Sequence, residues 1–153
     1  MDYSMLEKQL VSLSGGVTFD MTVLANAAAL IYDSLDRINW AGFYLMRKNE
    51  LCLAPFCGKP ACTEIQIGKG VCGTCAKTLE THRVADVHKF PGHIACDSAS
   101  KSEIVIPITV NGALYGVLDI DSPEYDRFSD EDEKGLERFV RALEIILGNI
   151  TDE

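Results

Sequence analysis

The sequence predicts an α+β fold, an antiparallel sheet with helices packed on one of its faces. Three observations predict it: helical periodicity ahead of Leu35, a hairpin signal between two alternating runs, and a long amphipathic segment near the C-terminus. The order along the chain is α, α, β, β, an irregular excursion, β, β, α. At 153 residues the chain suits a single domain, 1–153, with its own core.

Tyr3, Leu6, Leu10 and Leu13 recur at helical spacing, and Ser14-Gly15-Gly16 stops that helix. A second helix is predicted from about Thr18 to Leu35. Val23, Ala27, Leu30 and Ile31 form its stripe, and Ala25, Ala27, Ala28 and Ala29 permit close packing. Asn39 to Met46 is aromatic and reads as a strand, as does Leu51 to Phe56 across a turn at Lys48-Asn49-Glu50. From Gly58 to Ser102 the pattern is irregular, with only Val71 to Thr81 reading as helix. Such a stretch inside a compact domain is usually functional, and four of the six cysteines and all three histidines fall in it. Ile104 to Val110 and Ala113 to Ile120 alternate around Asn111-Gly112, the strongest hairpin signal in the chain. A last helix is predicted from Asp130 to Gly148. Ser129 is its N-cap, with Asp132 three residues on, and Leu136, Phe139, Val140, Leu143, Ile146 and Leu147 form its stripe.

Composition narrows the function. A net charge of −9 argues against a nucleic-acid binder, which needs a basic footprint. No run approaches the ~18 apolar residues of a membrane span, and MDYSMLEKQL lacks a basic n-region and an apolar h-region, so a cytoplasmic protein is expected. In that reducing compartment six cysteines point to catalysis, redox cycling or metal binding instead of structural disulfides.

Three cysteines stand in loop-like settings: Pro60-Ala61-Cys62, Gly70-Val71-Cys72-Gly73 and Ile94-Ala95-Cys96-Asp97-Ser98. A thiolate can attack an electrophilic sulfur, and a second thiol within reach resolves the product as a disulfide. Cys96, beside Gly92, His93 and Asp97, is the best-placed nucleophile. Cys52, on a strand, reads as packing. The competing reading is metal: Cys72 and Cys75 form a CxxC, and His88, His93 and Cys96 are further ligand types. A structural zinc site usually shows two tight ligand pairs, and only one is present, so neither metal nor other cofactor is expected.

A second constellation is acidic. Asp119 and Asp121 are two apart on a strand and share a face. Glu103 begins the partner strand, and its side depends on register. A strict two-residue turn at Asn111-Gly112 pairs Ile104 with Asp119 and sends Glu103 to the other face. A three-residue loop, or a bulge at Pro107, brings it to join them. Clustered carboxylates bind an ammonium group, and their repulsion keeps one protonated near neutrality, as a departing sulfoxide oxygen requires. Trp40 and Tyr44, four apart on a strand, can wall a pocket for a methylthio group.

From Trp40 to Phe128 the sequence resembles the free methionine-(R)-sulfoxide reductases, small enzymes built on one GAF domain. The resemblance lies in Gly58-Lys59-Pro60-Ala61-Cys62, Gly70-Val71-Cys72-Gly73, Phe90-Pro91-Gly92-His93-Ile94-Ala95-Cys96-Asp97, Ser102-Glu103-Ile104-Val105 and Gly116-Val117-Leu118-Asp119-Ile120-Asp121-Ser122. It implies a six-stranded antiparallel sheet with flanking helices and a cytosolic homodimer. The implied activity is reduction of free methionine-(R)-sulfoxide, with thioredoxin as reductant. It further implies Cys96 as catalytic cysteine, Cys62 and Cys72 as recycling pair, and Glu103, Asp119 and Asp121 as substrate ligands, beside Ile94 and an aromatic wall of Trp40 and Tyr44. Cys57 and Cys75 depart from the family pattern, and Cys75 leaves the resolving thiol open among Cys62, Cys72 and itself. The alternatives are a GAF module that binds a small ligand without chemistry, and a thiol or zinc sensor.

Overall fold

The computed structural model describes residues 1–93 and 99–151. The elements in chain order are α1 (Tyr3–Ser14), α2 (Asp20–Ser34), β1 (Trp40–Arg47), β2 (Glu50–Gly58), β3 (Glu64–Gln66), α3 (Gly70–Thr78), β4 (His82–Val84), β5 (Ser102–Val110), β6 (Ala113–Ser122) and α4 (Asp130–Thr151), with a 3-10 turn at Val87–Lys89. Six strands make one antiparallel sheet in the order β3-β2-β1-β6-β5-β4. No helix among the described residues is long and apolar enough to cross a membrane.

Helices α1, α2 and α4 cover one face. Leu6 and Leu10 of α1, Leu24 and Ile31 of α2 and Phe139 and Leu143 of α4 meet Phe43, Ile104, Ile106 and Leu118 from the sheet in one core. Alternation along the strands sends the residues between these to the opposite face. There Trp40, Tyr44, Val105 and Val117 pack against Val71, Cys72, Cys75 and Ala76 of α3. The expectation of helices on one face is therefore corrected: α3 covers the other. Its nine residues bury Val71, Cys72, Cys75 and Ala76 in an i, i+1, i+4, i+5 set, a stripe too short to assign to a face from sequence.

Other expectations shift in detail. Leu13 is 48% exposed, and Ser14 takes the inward position at the end of α1. Helix α3 stops at Thr78 because Leu79 adopts a left-handed conformation, φ 59°, its N–H donating to the Cys75 carbonyl. The irregular stretch also hides β3 and β4, three residues each and too short for a readable alternation.

The two ends of the chain are tied together beside α4. Ser129 Oγ accepts from the Asp132 N–H at 3.1 Å while Asp132 Oδ2 accepts from the Ser129 N–H at 2.8 Å, a reciprocal cap. Asp132 also accepts from the Tyr3 hydroxyl at 2.5 Å and from Arg127 Nη1 at 3.1 Å. Arg127, itself buried, donates to the Asp36 carbonyl and carboxylate at 3.0 Å each.

Candidate active site

The acidic face is decided by register. The hairpin turns tightly, with Val110 opposite Ala113 and positive φ at Asn111 and Gly112, the geometry the Asn-Gly pair favours. Carried along both strands, that register would pair Ile104 with Asp119. The pairing instead slips between Ile108 and Thr109, where Thr109 faces Leu114 but Ile108 faces Gly116. Tyr115 is the extra residue of a bulge, and its hydroxyl is held by Asp20 at 2.9 Å. The slip lies two residues from the expected bulge at Pro107. Beyond it Glu103 stands opposite Asp121, and Val105 opposite Asp119, so all three carboxylates share the α3 side.

Strand β1 extends those rows. Trp40 pairs with Asp121, Gly42 with Asp119 and Tyr44 with Val117. Gly42 leaves room for the indole: a Cβ there would lie 2.9 Å from Trp40 Cη2 and 2.3 Å from Phe56 Cβ. The Trp40 ring stacks between Tyr44 and Phe56, with centroids 5.9 Å and 5.2 Å away. Trp40 Nε1 donates to the Lys59 carbonyl at 3.1 Å, and the Tyr44 hydroxyl donates to the Cys62 carbonyl at 3.0 Å. The aromatic wall thus pins the loop that carries Cys62.

Trp40, Tyr44, Cys72, Glu103, Asp119 and Asp121 line one pocket of about 40 Å³. Cys62 is half-buried on the same side of the sheet and is disulfide-bonded, whereas Cys52, Cys57, Cys72 and Cys75 are free. Ile94 and Cys96 lie outside the described residues. Sequence reasoning passed over Lys69, which also lines the pocket, and weighed His93, another lining residue, only as a metal ligand and a neighbour of Cys96. His93 had a signal, its place three residues before Cys96. Lys69 is the residue before α3 and had none.

Burial sets the electrostatics. Glu103 and Asp119 are buried in the α3-side pocket. Desolvation, then the charges of Asp119 and Asp121, pushes the Glu103 carboxyl well above its ordinary range. Desolvation also raises Asp119, against hydrogen bonds from Glu103 and Cys72 that pull it down. The Cys72 thiol is raised by burial and then by Asp119, so at neutral pH it is a donor and a weak nucleophile. Cys75 is pushed up to about 12 by burial and then by Asp119, and its Sγ points at the Val105 carbonyl, 3.8 Å away. Desolvation, then His88, lowers His93. One Asp119 oxygen, Oδ1, is buried with no hydrogen-bond partner among the described residues. The pocket therefore offers a proton-holding carboxyl, an unsatisfied anionic acceptor and an aromatic wall. Such a set suits a small cationic solute that carries a basic oxygen and an apolar tail.

A group of three metal-ligand types does occur among the described residues, but it is Cys72, Glu103 and Asp119. The set expected for a zinc knuckle, Cys72 and Cys75 with the histidines, is not assembled among them.

Comparison with known proteins identifies the family and the fold. The GAF domain family matches residues 21–147. The chain is 50% identical over 145 residues to the free methionine-R-sulfoxide reductase of Escherichia coli (strain K12), covering 95% of this chain and 88% of that protein. The structure of fRMsr of Staphylococcus aureus in complex with substrate superposes with a TM-score of 0.91 at 52% identity, over 95% of both chains. Free methionine-R-sulfoxide reductase from Neisseria meningitidis, in complex with its substrate, gives 0.93 at 38% identity, over 98% of this chain and 90% of that one.

Proposed function

The chain belongs to the GAF-domain free methionine-R-sulfoxide reductases, and on that footing we propose that it reduces free L-methionine-(R)-S-oxide with Cys96 as nucleophile. It is an oxidoreductase of that family. The observation that carries the reading is the carboxylate trio, Glu103 and Asp119 buried and Asp121 partly so, beside an aromatic wall. An anionic acceptor without a partner is stabilised when an ammonium group enters, and a carboxyl that keeps its proton at neutral pH can hand it to the sulfoxide oxygen.

In this mechanism the substrate ammonium is held by Asp119 and Asp121, its methyl lies against Trp40 and Tyr44, and Ile94 completes the pocket. The Cys96 thiolate attacks the sulfoxide sulfur as Glu103 protonates the oxygen. Methionine leaves, and Cys96 becomes a sulfenic acid, so one thiol is oxidised by two electrons as the sulfoxide gains two. A second thiol attacks Cys96 and water departs. Cys62 is the better candidate for that step. It is already disulfide-bonded, whereas Cys72 is a buried free thiol held in its protonated form. Cys75 is disfavoured by its burial and its contact with the Val105 carbonyl. Thioredoxin then reduces the disulfide. No metal or organic cofactor takes part, and the reading includes a single domain over 1–153, a homodimer and a cytoplasmic location.

The test is turnover of the separated R and S isomers of free methionine sulfoxide, and of a peptide-bound sulfoxide, with reduced thioredoxin. Turnover confined to the free R isomer and lost in Cys96→Ser supports the reading. Equal rates in wild type and Cys96→Ser would overturn it.

A further inference from the structure

We propose that the pocket is also a zinc trap: in the reduced protein Zn²⁺ binds Cys72 Sγ, one Glu103 oxygen and one Asp119 oxygen, and excludes the sulfoxide. Binding by these side chains needs no assumption about the reaction, but its consequence as inhibition rests on the reductase reading.

Two observations carry it. The three ligand atoms already lie within 4.8 Å of one another, all on buried residues. Asp119 Oδ1 is buried with no partner among the described residues, in a side chain that lines the pocket. An orphan acceptor of that kind is an unfilled ligand position, and it does not come from crowding of surface acids, because Asp119 is only 5% exposed.

The donor set selects the ion. A thiolate with two carboxylates is a borderline-soft, three-ligand set that leaves a fourth tetrahedral position for water, as zinc accepts. Magnesium and calcium need six or more oxygens and avoid thiolate. Bond lengths of about 2.3 Å to sulfur and 2.0–2.2 Å to oxygen put tetrahedral ligands about 3.3–3.6 Å apart. From separations of up to 4.8 Å the ligand atoms have to draw together by up to about 1.2–1.5 Å. Zn²⁺ displaces the protons that Cys72 and Glu103 hold, and a dication offsets the repulsion among the three resulting anions in a desolvated site more fully than an ammonium group can. Lys69 and His93, on the same pocket wall, are the cationic residue types that oppose it. Cys75 takes no part, since its Sγ is engaged with the Val105 carbonyl. The site is thus distinct from a CxxC knuckle. Metal and substrate claim the same carboxylates, so they compete.

The probe is Cd²⁺ titrated into reduced protein freed of added thiol, followed by thiolate-to-metal charge-transfer absorption, with excess Zn²⁺ then displacing it. One ion per chain is expected. The band is lost in Cys72→Ser, kept in Cys75→Ser, and weakened at least about tenfold in affinity in Asp119→Asn. The Cys62→Ser/Cys96→Ser double variant, which retains the three ligands and lacks the other redox thiols, must still bind. Absence of the band there, or its persistence in a Cys72→Ser protein with unchanged circular dichroism, overturns the site. In single-turnover assays without added thiol, Zn²⁺ is expected to raise the sulfoxide concentration for half-saturation and leave the maximal rate unchanged, and a falling maximal rate would contradict competition. If no methionine forms even without metal, the reductase reading fails, and the cadmium titration still decides the trap.

Discussion

Burial and the neighbouring Asp119 and Asp121 push the Glu103 carboxyl well above its ordinary range, and it stands opposite Asp121, so among the three acids it is the assigned proton donor. Glu103→Gln should lower kcat by about 10²-fold or more, and more than Asp121→Asn does, in steady-state assays at pH 7. The same shift has a stability consequence. The folded-state value lies above the ordinary 4.5, so the native protein holds this proton more tightly than the unfolded chain. Its contribution is complete below the ordinary 4.5 and is lost as pH rises from there through the folded-state pKa. Glu103→Gln should therefore flatten the alkaline decline of the melting temperature, which a pH series of thermal melts checks. Cys62→Ser should form its first equivalent of methionine at the wild-type rate yet lose steady-state cycling, read by comparing burst and steady-state rates. At this scale the sequence was largely legible: the thiols, the acids and the aromatic pair were all candidates before any coordinates. Lys69 was not, because a lone lysine ahead of a short helix looks like any other surface charge.

Between residues and chemistry stand the elements, and one bulge governs whether the site exists. The Asn111-Gly112 turn was readable, whereas the slip at Tyr115 was not. A one-residue bulge leaves no periodic trace, and here it depends on a hydroxyl contact to Asp20 from a distant helix. The register problem could be posed from the sequence but only tertiary contacts could answer it. Strand β2 contributes through Gly58, whose φ is +133° and whose Cβ would come within 2.6 Å of Trp40 Cδ1. Gly58→Ala should displace the indole. Trp40 is the single tryptophan, so a changed emission spectrum and a raised KM are the expected readouts. The cap on α4 was readable from Ser129 and Asp132. Ser129→Ala should cost about 1 kcal/mol in denaturant unfolding without altering KM.

Taken whole, the molecule separates stability from chemistry by the two faces of its sheet. The α1, α2 and α4 side holds the large apolar core, with Arg127 and Asp132 at its edge locking the N-terminal helix to the C-terminal one. The α3 side is the polar, pocketed one. Asp132→Ala takes from the buried Arg127 one of its two carboxylate partners and removes the Asp132 half of the α4 cap, so it should destabilise by about 2 kcal/mol or more while kcat at 25 °C stays near wild type. The α+β class and the order of the longer elements followed from periodicity, whereas β3 and β4 did not. The placement of α3 across the sheet did not, because so short a helix takes its face from the strands it meets. The α3 face is proposed to serve a Cys96 thiolate, and chemical trapping of the oxidised thiol reads that role. Cys62→Ser protein is mixed with free methionine-(R)-sulfoxide in the presence of dimedone, methionine is counted, and the labelled cysteine is mapped by mass spectrometry. One methionine per chain with the adduct on Cys96 is the predicted result. Methionine formed with the adduct on Cys72 or Cys75, or no methionine at all, would contradict it.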